Sequence, residues 1–163
     1  MSKKVWITGA SSGIGKALAI KFANEGWLVA ASARRENLLK DLNNQNPNIH
    51  PFPLDVKNET EAKNIFQNII EKFKTIDISV FCTGIHDPDA EKKLSSEKIR
   101  EIMETNFFGT LNCIMAVNTY FREKKKWSNF YSFFSCWLQR FASSLRLLCI
   151  KISSDKSSGK SLF

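Results

Sequence analysis

The sequence predicts an α/β protein with a doubly wound parallel sheet between two layers of helices. Short apolar runs alternate with amphipathic helical segments over most of the chain, a pattern typical of parallel strands joined by crossover helices. A glycine-rich turn connects the first apolar run directly to the first helical segment. The length of 163 residues suits one domain with a sizeable core.

The predicted elements follow one another in a regular order. Residues 5–7 form a short apolar strand, and apolar residues then recur at helical spacing from Ile14 until Gly26 stops them. The same criteria predict further strands at 27–31, 49–54 and 76–81, and helices at 35–44 and 59–73. After a polar loop, Ser95 or Ser96 can cap another helix, and a last helical pattern runs from about 105 to 121.

The most specific motif is Thr8-Gly-Ala-Ser-Ser-Gly-Ile-Gly15, between the first strand and the first helix. Gly9 permits a tight turn, Gly13 lets backbone N–H groups approach a pyrophosphate, and Gly15 lets the helix pack close to the sheet. The helix N-terminus adds oriented N–H donors and positive potential. Strand, spacing and helix together indicate nucleotide binding.

This motif resembles the cofactor loop of the short-chain dehydrogenase/reductase family. The resemblance runs from residue 3 to about 126 and implies a Rossmann-like fold, an NADP-binding domain over 1–126, and cofactor contacts from the loop residues Gly9, Ser11, Ser12, Gly13, Ile14 and Gly15. Asp55-Val56 resembles the pair that contacts adenine in the family. Thr83-Gly84 resembles the end of the family's Asn-Asn-Ala-Gly turn, although Phe81 and Cys82 stand where asparagines are expected.

The segment Asn106-Phe-Phe-Gly109 resembles the family's Asn-x-x-Gly segment. The resemblance implies that Asn106 kinks its helix and helps to hold a proton-relay water, which makes it the catalytic candidate. It also implies a small alcohol or carbonyl substrate and, as in other members, association of copies through this helix.

The residues after the second strand indicate the cofactor. An NAD site places a carboxylate there for the ribose diol, whereas an NADP site must neutralise a 2′-phosphate. This chain has Ala33-Arg34-Arg35, and a guanidinium suits phosphate. We therefore expect Arg34 to bind NADP(H), with NAD(H) less favoured; Arg35 is alternatively a solvated residue of the next helix.

Composition excludes several other classes of function. The net charge of +8 is compatible with nucleic acid or anionic lipid, but a solvated surface with a basic tail is the favoured interpretation, and we expect no nucleic acid partner. The cysteines show neither CxxC pairs nor zinc spacing, so we expect no metal site and a reduced, cytoplasmic protein. His50 and His86 each lie near a proline and are expected in loops.

A complete catalytic set is not found in the sequence. Family members use a serine, a tyrosine and a lysine four residues after that tyrosine. Tyr120 and Lys124 have this spacing, but they follow Asn106 on its own helix, without an intervening strand or serine segment. We interpret them as a coincidence on a helix end.

The tail at 127–163 is atypical, rich in serine, aromatic and basic residues. Arg140 and Arg146 interrupt any membrane span, and the apolar residues do not cluster on one helical face. With permitted codons, translation one base later gives Gly-Ala-Ile-Phe-Ile-Val-Ser-Ser-Val-Ala-Gly for 127–137, and a Tyr-x-x-x-Lys can follow. We hypothesise a one-base frame change near Lys124-Lys125-Lys126.

The sequence leaves two functions open. The first is an oxidoreductase that interconverts an alcohol and a carbonyl, with the sheet incomplete at its C-terminal side and the tail poorly ordered and out of frame, so that this chain is inactive. The alternative is a non-catalytic nucleotide-binding or regulatory protein whose basic aromatic tail binds a partner or a membrane.

Overall fold

A computed structural model describes residues 2–86 and 95–124, together with the backbone of 130–132. The N-terminal elements are β1 (Lys4–Thr8), α1 (Gly13–Asn24), β2 (Leu28–Ser32), α2 (Glu36–Gln45) and β3 (Ile49–Pro51). They are followed by α3 (Glu59–Phe73), β4 (Ile78–Phe81), α4 (Ser96–Met103), a π-helical turn (Glu104–Phe108), α5 (Gly109–Glu123) and β5 (Phe130–Ser132). Strands and helices alternate as the sequence predicts.

The sheet is parallel throughout, with strand order β3-β2-β1-β4-β5. The chain winds outward from β1 to β3 and then returns to place β4 on the other side of β1. Loops after β1 and β4 consequently leave the sheet in opposite directions. In sheets of this kind the crevice beyond the carboxyl ends of those two strands is where ligands bind.

The core has two halves, one on each face of the sheet. Successive side chains of a strand point to opposite faces, so Trp6 lies in the cluster with Phe66 and Phe121 of α3 and α5. Its neighbours Val5 and Ile7 lie in the other cluster, which includes residues of α1 and α2. This arrangement confirms the predicted three-layer architecture.

Side-chain caps define the starts of two helices. Asn58 accepts a hydrogen bond from the backbone N–H of Glu61 at 3.0 Å and begins α3. Ser95 accepts from Lys98 N at 3.2 Å and begins α4, so of the two candidate serines it is the first that caps. Capping of this type satisfies an N–H group that the helix itself leaves without a partner.

The structure corrects two boundaries. The strand predicted at 49–54 ends at Pro51, although the N–H groups of Phe52 and Leu54 still donate to the carbonyls of Ala31 and Ala33 at 2.9 and 3.1 Å. The prolines at 51 and 53 alternate with these donors on the edge strand of the described sheet, where a missing N–H breaks no ladder bond. The helix predicted from 105 instead continues α4 through the π-helical turn.

The edge of β4, which the atypical tail was expected to leave uncovered, is paired over three residues. The short strand β5 pairs with it in parallel, Ser79 opposite Phe130 and Phe81 opposite Ser132. Ladder hydrogen bonds join backbone groups, and Phe130-Tyr131-Ser132 includes two residue types common in strands. The remainder of the predicted tail, apart from 130–132, lies outside the described residues.

Candidate cofactor site

A cleft of about 730 Å³ opens at the carboxyl ends of β1, β2 and β4. Every residue predicted to hold the cofactor lines it: Gly9, Ser11, Ser12, Gly13, Ile14, Gly15, Arg34, Asp55, Val56, Thr83 and Gly84. The sequence missed further lining residues, namely Ala33, Arg35, Leu54, Cys82, Ile85 and Thr105. Most of these are direct chain neighbours of predicted ones, which is the signal that could have found them.

The glycine loop packs too tightly for side chains at two of its positions. Gly9 has φ of +70°, and a Cβ there would lie 2.7 Å from the carbonyl carbon of Cys82. A Cβ on Gly15 would meet the carbonyl oxygen of Gly9. Gly13 differs, because a Cβ there would meet nothing within 4 Å, and this side of the loop is open to a ligand.

The N-terminus of α1 is suited to an anion. Its first-turn N–H groups lack intrahelical partners, its N-cap Ser12 makes no side-chain cap, and no acidic residue lies in the first turn. The hydroxyls of Ser11 and Ser12 instead accept hydrogen bonds from Nη2 of Arg35 at 3.0 and 3.1 Å. A guanidinium thus lies against the loop, which strengthens the positive potential at this helix end.

The loop after β3 brings Asp55 and Val56 to the cleft. Asp55 Oδ1 accepts from the backbone N–H of Lys57 at 3.1 Å, and the backbone N–H of Asp55 donates to Glu61 Oε1 at 3.2 Å. One carboxylate oxygen is thereby used to shape the turn. The second oxygen of that carboxylate can accept a hydrogen bond from a ligand.

Residues after β4 form the opposite wall. Phe81 packs edge-on against Trp6, with 5.6 Å between ring centroids, and the N–H of Cys82 donates to Thr8 O at 3.2 Å. Burial raises the pKa of the Cys82 thiol to about 12, so it is a neutral thiol near pH 7. Thr83 Oγ1 is buried and has no hydrogen-bond partner among the described residues.

Asn106 lies behind this wall, in the π-helical turn. Its Oδ1 accepts from the backbone N–H of Ile85 at 2.8 Å, and its Nδ2 donates to the carbonyl of Ile85 at 3.0 Å. Its own carbonyl accepts from the hydroxyl of Thr110 at 2.8 Å. Asn106 therefore reaches the cleft through Ile85, while its neighbour Thr105 lines the cleft directly.

The contacts of Tyr120 are made with residues that do not line the cleft. Its hydroxyl accepts from the backbone N–H of Ile76 at 3.0 Å, and its ring packs edge-on against Phe66. Both partners lie in the core between α3 and α5. Tyr120 consequently has a structural contact at the end of α5, and neither it nor Lys124 lines the cleft.

Two other predicted absences can be compared with the described ranges. No group of three or more His, Cys, Asp or Glu residues converges there in a way that could hold a metal ion. None of the helices in these ranges is both long enough and apolar enough to cross a bilayer.

His50 lies in β3 and not in a loop as expected, whereas His86 lies in the irregular segment after β4.

Comparison with known proteins gives consistent matches over the same part of the chain. The family model for short chain dehydrogenase matches residues 3–128. The 3-oxoacyl-[acyl-carrier-protein] reductase FabG of Staphylococcus epidermidis is 25% identical over 122 residues, which are 72% of this chain and 50% of that protein. Glucose 1-dehydrogenase of Gluconobacter oxydans is 32% identical over 114 residues, 67% of this chain and 43% of that protein.

Solved structures show the same likeness. The structure of ElxO with NADP bound has a TM-score of 0.70 and 27% identity, covering 76% of this chain and 52% of that one. A short chain dehydrogenase from Bacillus anthracis has a TM-score of 0.70 and 29% identity, covering 80% and 54%. The chain thus spans about half the length of the curated relatives it matches.

Proposed function

Since the chain belongs to the short-chain dehydrogenase family, we propose that it is the cofactor-binding part of an NADP(H)-dependent oxidoreductase for a small alcohol or carbonyl compound. One observation carries the proposal: at the switch point of the sheet, the glycine loop, the N-terminus of α1 and two arginines line a single cleft. The names of two relatives, a 3-oxoacyl reductase and a glucose dehydrogenase, support the reaction class.

The residues of the cleft fit a dinucleotide. The space beside Gly13 allows a pyrophosphate to approach the loop, where first-turn N–H groups of α1 can donate to it. The buried hydroxyl of Thr83, without a partner among the described residues, can bond a polar group of the ligand. A buried hydroxyl without a hydrogen bond is costly, so a ligand that supplies one is favoured.

The choice of NADP(H) rests on charge at the end of β2. This strand ends at Ser32 and is followed by Ala33, where an NAD site has a carboxylate. Arg34 and Arg35 both line the cleft, and Arg35 already donates to the two loop serines. A phosphate placed there gains charge-assisted hydrogen bonds from guanidinium groups. The relative ElxO has been solved with NADP bound, which agrees with this choice.

The nicotinamide, when bound, supplies the hydride chemistry. The chain's own residues bind and orient the dinucleotide. The glycine loop and α1 hold the pyrophosphate, and Asp55 and Val56 contact the adenine. Thr83 and Gly84 hold the end of the dinucleotide opposite the adenine. Asn106 fixes Ile85 through two hydrogen bonds. In this proposal Asn106 also helps to hold the proton-relay water that the family resemblance implies.

Proton transfer is the step for which this chain lacks residues. The core contacts of Tyr120 support its exclusion, and no serine, tyrosine and lysine set appears in the sequence after residue 126. With permitted codons, the hypothesised frame change near Lys124-Lys125-Lys126 can place such a set downstream. We propose that the protein in the continuous frame is the active oxidoreductase and that the 163-residue chain binds cofactor without turnover.

Titration of the purified chain with NADP⁺ and NAD⁺ tests the cofactor assignment. We expect tighter binding of NADP⁺, and we expect Arg34→Ala to reduce this preference roughly tenfold, as loss of a charge-assisted hydrogen bond does. Arg35→Ala should act in the same direction. Arg100→Ala, an exposed arginine of α4, is the matched control. A preference for NAD⁺ that survives Arg34→Ala would sink the NADP assignment.

The frame hypothesis is tested by reading the coding DNA around 124–153. An open alternative frame that encodes serine, tyrosine and lysine supports it, whereas early stops or the absence of Tyr-x-x-x-Lys refute it. Carbonyl-dependent oxidation of NADPH is then compared between the 163-residue chain and a protein made in the continuous frame. Turnover by the 163-residue chain would show that the proposed inactivity is wrong.

A further inference from the structure

The helix that carries Asn106 also contacts the loop on the far side of the cleft. Nδ2 of Asn112 in α5 donates to the backbone carbonyl of Val56 at 3.0 Å and to that of Lys57 at 3.3 Å. Gly109, one turn earlier, faces the side chain of Val56 closely enough that an added Cβ would lie 2.5 Å from Val56 Cγ2. The side chain of Val56 and the backbone of the Asp55–Lys57 loop thus both contact α5.

We infer that Asn112 is a positioning residue for adenine recognition, which acts by holding the Asp55–Val56 loop against α5. The inference rests on the proposed function, because it requires that a dinucleotide occupies the cleft. Asn112 does not itself line the cleft, whereas Asp55 and Val56 do. Its effect on a ligand must therefore pass through those two residues.

Within the described part of the chain, the hydrogen bonds recorded to the carbonyls of Val56 and Lys57 come from Asn112 and not from the loop itself. The N–H of Asp55 is bonded to Glu61, and that of Lys57 to the Asp55 carboxylate. These bonds fix N–H groups, whereas Asn112 engages the carbonyl oxygens of Val56 and Lys57. A side-chain amide has two N–H donors on one nitrogen, which suits two consecutive carbonyls.

The placement of Asn112 links the two ends of the cleft. Asn106 bonds the backbone of Ile85 after β4, and Asn112 bonds the backbone after β3. Both asparagines belong to one continuous helical segment from the π-helical turn into α5. A rigid segment that holds both loops fixes the distance between them, and Asp55 can then present its carboxylate oxygen to a ligand at a constant position.

A pair of ligands isolates the contact that Asn112 would position. NADP⁺ and its 6-deamino analogue, in which purine replaces adenine, differ only at position 6 of the base, where adenine carries an amino group that donates and purine carries only a hydrogen on carbon. A carboxylate oxygen of Asp55 accepts from the former and not from the latter. The ratio of the two dissociation constants therefore reports the position of Asp55, whereas a general loss of stability weakens both ligands alike.

We expect wild-type chain to prefer NADP⁺, and Asn112→Ala to lower the preference ratio about threefold or more, the size of one lost hydrogen bond. Asn118→Ala, on the same helix but outside the cleft lining, should keep the wild-type ratio. Gly109→Ala is a second variant: alanine favours helix but pushes on Val56, and it should lower the ratio in the same way.

The outcomes separate two kinds of failure. If wild-type chain binds neither ligand, the proposed function is wrong and the inference falls with it. If NADP⁺ binds but wild-type chain shows no preference, or the ratio is unchanged in folded Asn112→Ala, the inference alone is overturned. Should Asn112→Ala not fold, an unchanged ratio in Gly109→Ala overturns it equally.

Discussion

At Gly9 the glycine loop lies close to the backbone of Cys82, directly after β4. A Cβ at this position would lie 2.7 Å from both the carbonyl carbon and oxygen of Cys82, and φ is +70°. Both features oppose any side chain. Gly26 offers a matched comparison because its φ is +82° while a Cβ added there would meet nothing within 4 Å.

We expect Gly26→Ala to lower the free energy of unfolding by about 1 kcal/mol, the cost of a left-handed backbone for alanine. Gly9→Ala should cost roughly 2 kcal/mol or more, because crowding adds to that backbone cost. Urea denaturation measures both. Equal losses in the two variants would show that the backbone of Cys82 moves away without penalty.

His50 is the residue whose titration should affect stability. Its ring lies edge-on to Phe73, with 5.2 Å between centroids, and its pKa is lowered from 6.5, first by burial and then by the charge of Lys72. A base with a lowered pKa binds protons more readily in the unfolded state than in the folded state. Stability is therefore present above about pH 6.5 and is lost as the pH falls below it.

We predict that the melting temperature falls between about pH 7.5 and about pH 5.5, and that His50→Gln makes this fall shallower because the titrating group is gone. His86→Gln is the control, since His86 is the only other histidine and is exposed. A pH dependence that is the same in His50→Gln and wild-type chain would contradict the role given to His50.

At the scale of elements, the sequence was sufficient for the order of strands and helices and for the position of the cleft. Both depend on signals that are local in the chain: apolar periodicity for the elements, and the glycine loop between β1 and α1 for the cleft. Parallel strands with a known connection order then bring Asp55 and Thr83 to the same edge. Every predicted cofactor residue lines the cleft for this reason.

Apolar periodicity did not predict the π-helical turn, although the family resemblance implied a kink at Asn106. A helical pattern around Thr105 gives the period of the helix but not one extra residue in a turn, because that insertion is stabilised by contacts from elsewhere. Asn106 bonds the backbone of Ile85, 21 residues earlier. The hydrogen bond from Asn112 to the carbonyl of Val56 likewise joins residues that are 56 positions apart. Such contacts emerge only once the chain is folded.

A substitution at Tyr120 tests whether this residue has a structural role and not a catalytic one. Its hydroxyl accepts from the N–H of Ile76, a residue that is 1% exposed. Tyr120→Phe leaves this N–H without its partner, and we expect a loss of about 1 to 2 kcal/mol in the free energy of unfolding. Because Tyr120 lies outside the cleft lining, binding of NADP⁺ by the folded variant should not change.

The readouts for Tyr120→Phe distinguish a catalytic from a structural role. A variant with unchanged stability but weaker NADP⁺ binding would place the tyrosine at the cofactor after all. Lys124→Ala is the companion variant, because a catalytic pair would show the same loss of binding in both. We expect Lys124→Ala to bind NADP⁺ as wild-type chain does.

The molecule as a whole ends its described sheet on a short strand. β5 pairs three residues with β4, and the chain covers about half of its curated relatives. Most of the exposed large apolar side chains among the described residues lie on the helical segment from α4 to α5.

An apolar row runs along one side of this helical segment. Its side chains are 39% to 52% exposed and lie mostly four residues apart: Met103, Phe107, Phe108, Leu111 and Met115. Contiguous exposed apolar surface of this kind is a site of association in soluble proteins. Because the row lies on a helix, a second copy can pack the same row against it about a twofold axis.

We predict concentration-dependent self-association that depends on this row. Met115→Lys should shift sedimentation velocity profiles towards the monomer, since a charge within an apolar contact must be desolvated. Thr119→Lys adds the same charge at an exposed position one turn further along α5 and should leave association unchanged. If both variants dissociate the protein equally, net charge and not the apolar row controls association. If neither does, the copies meet elsewhere.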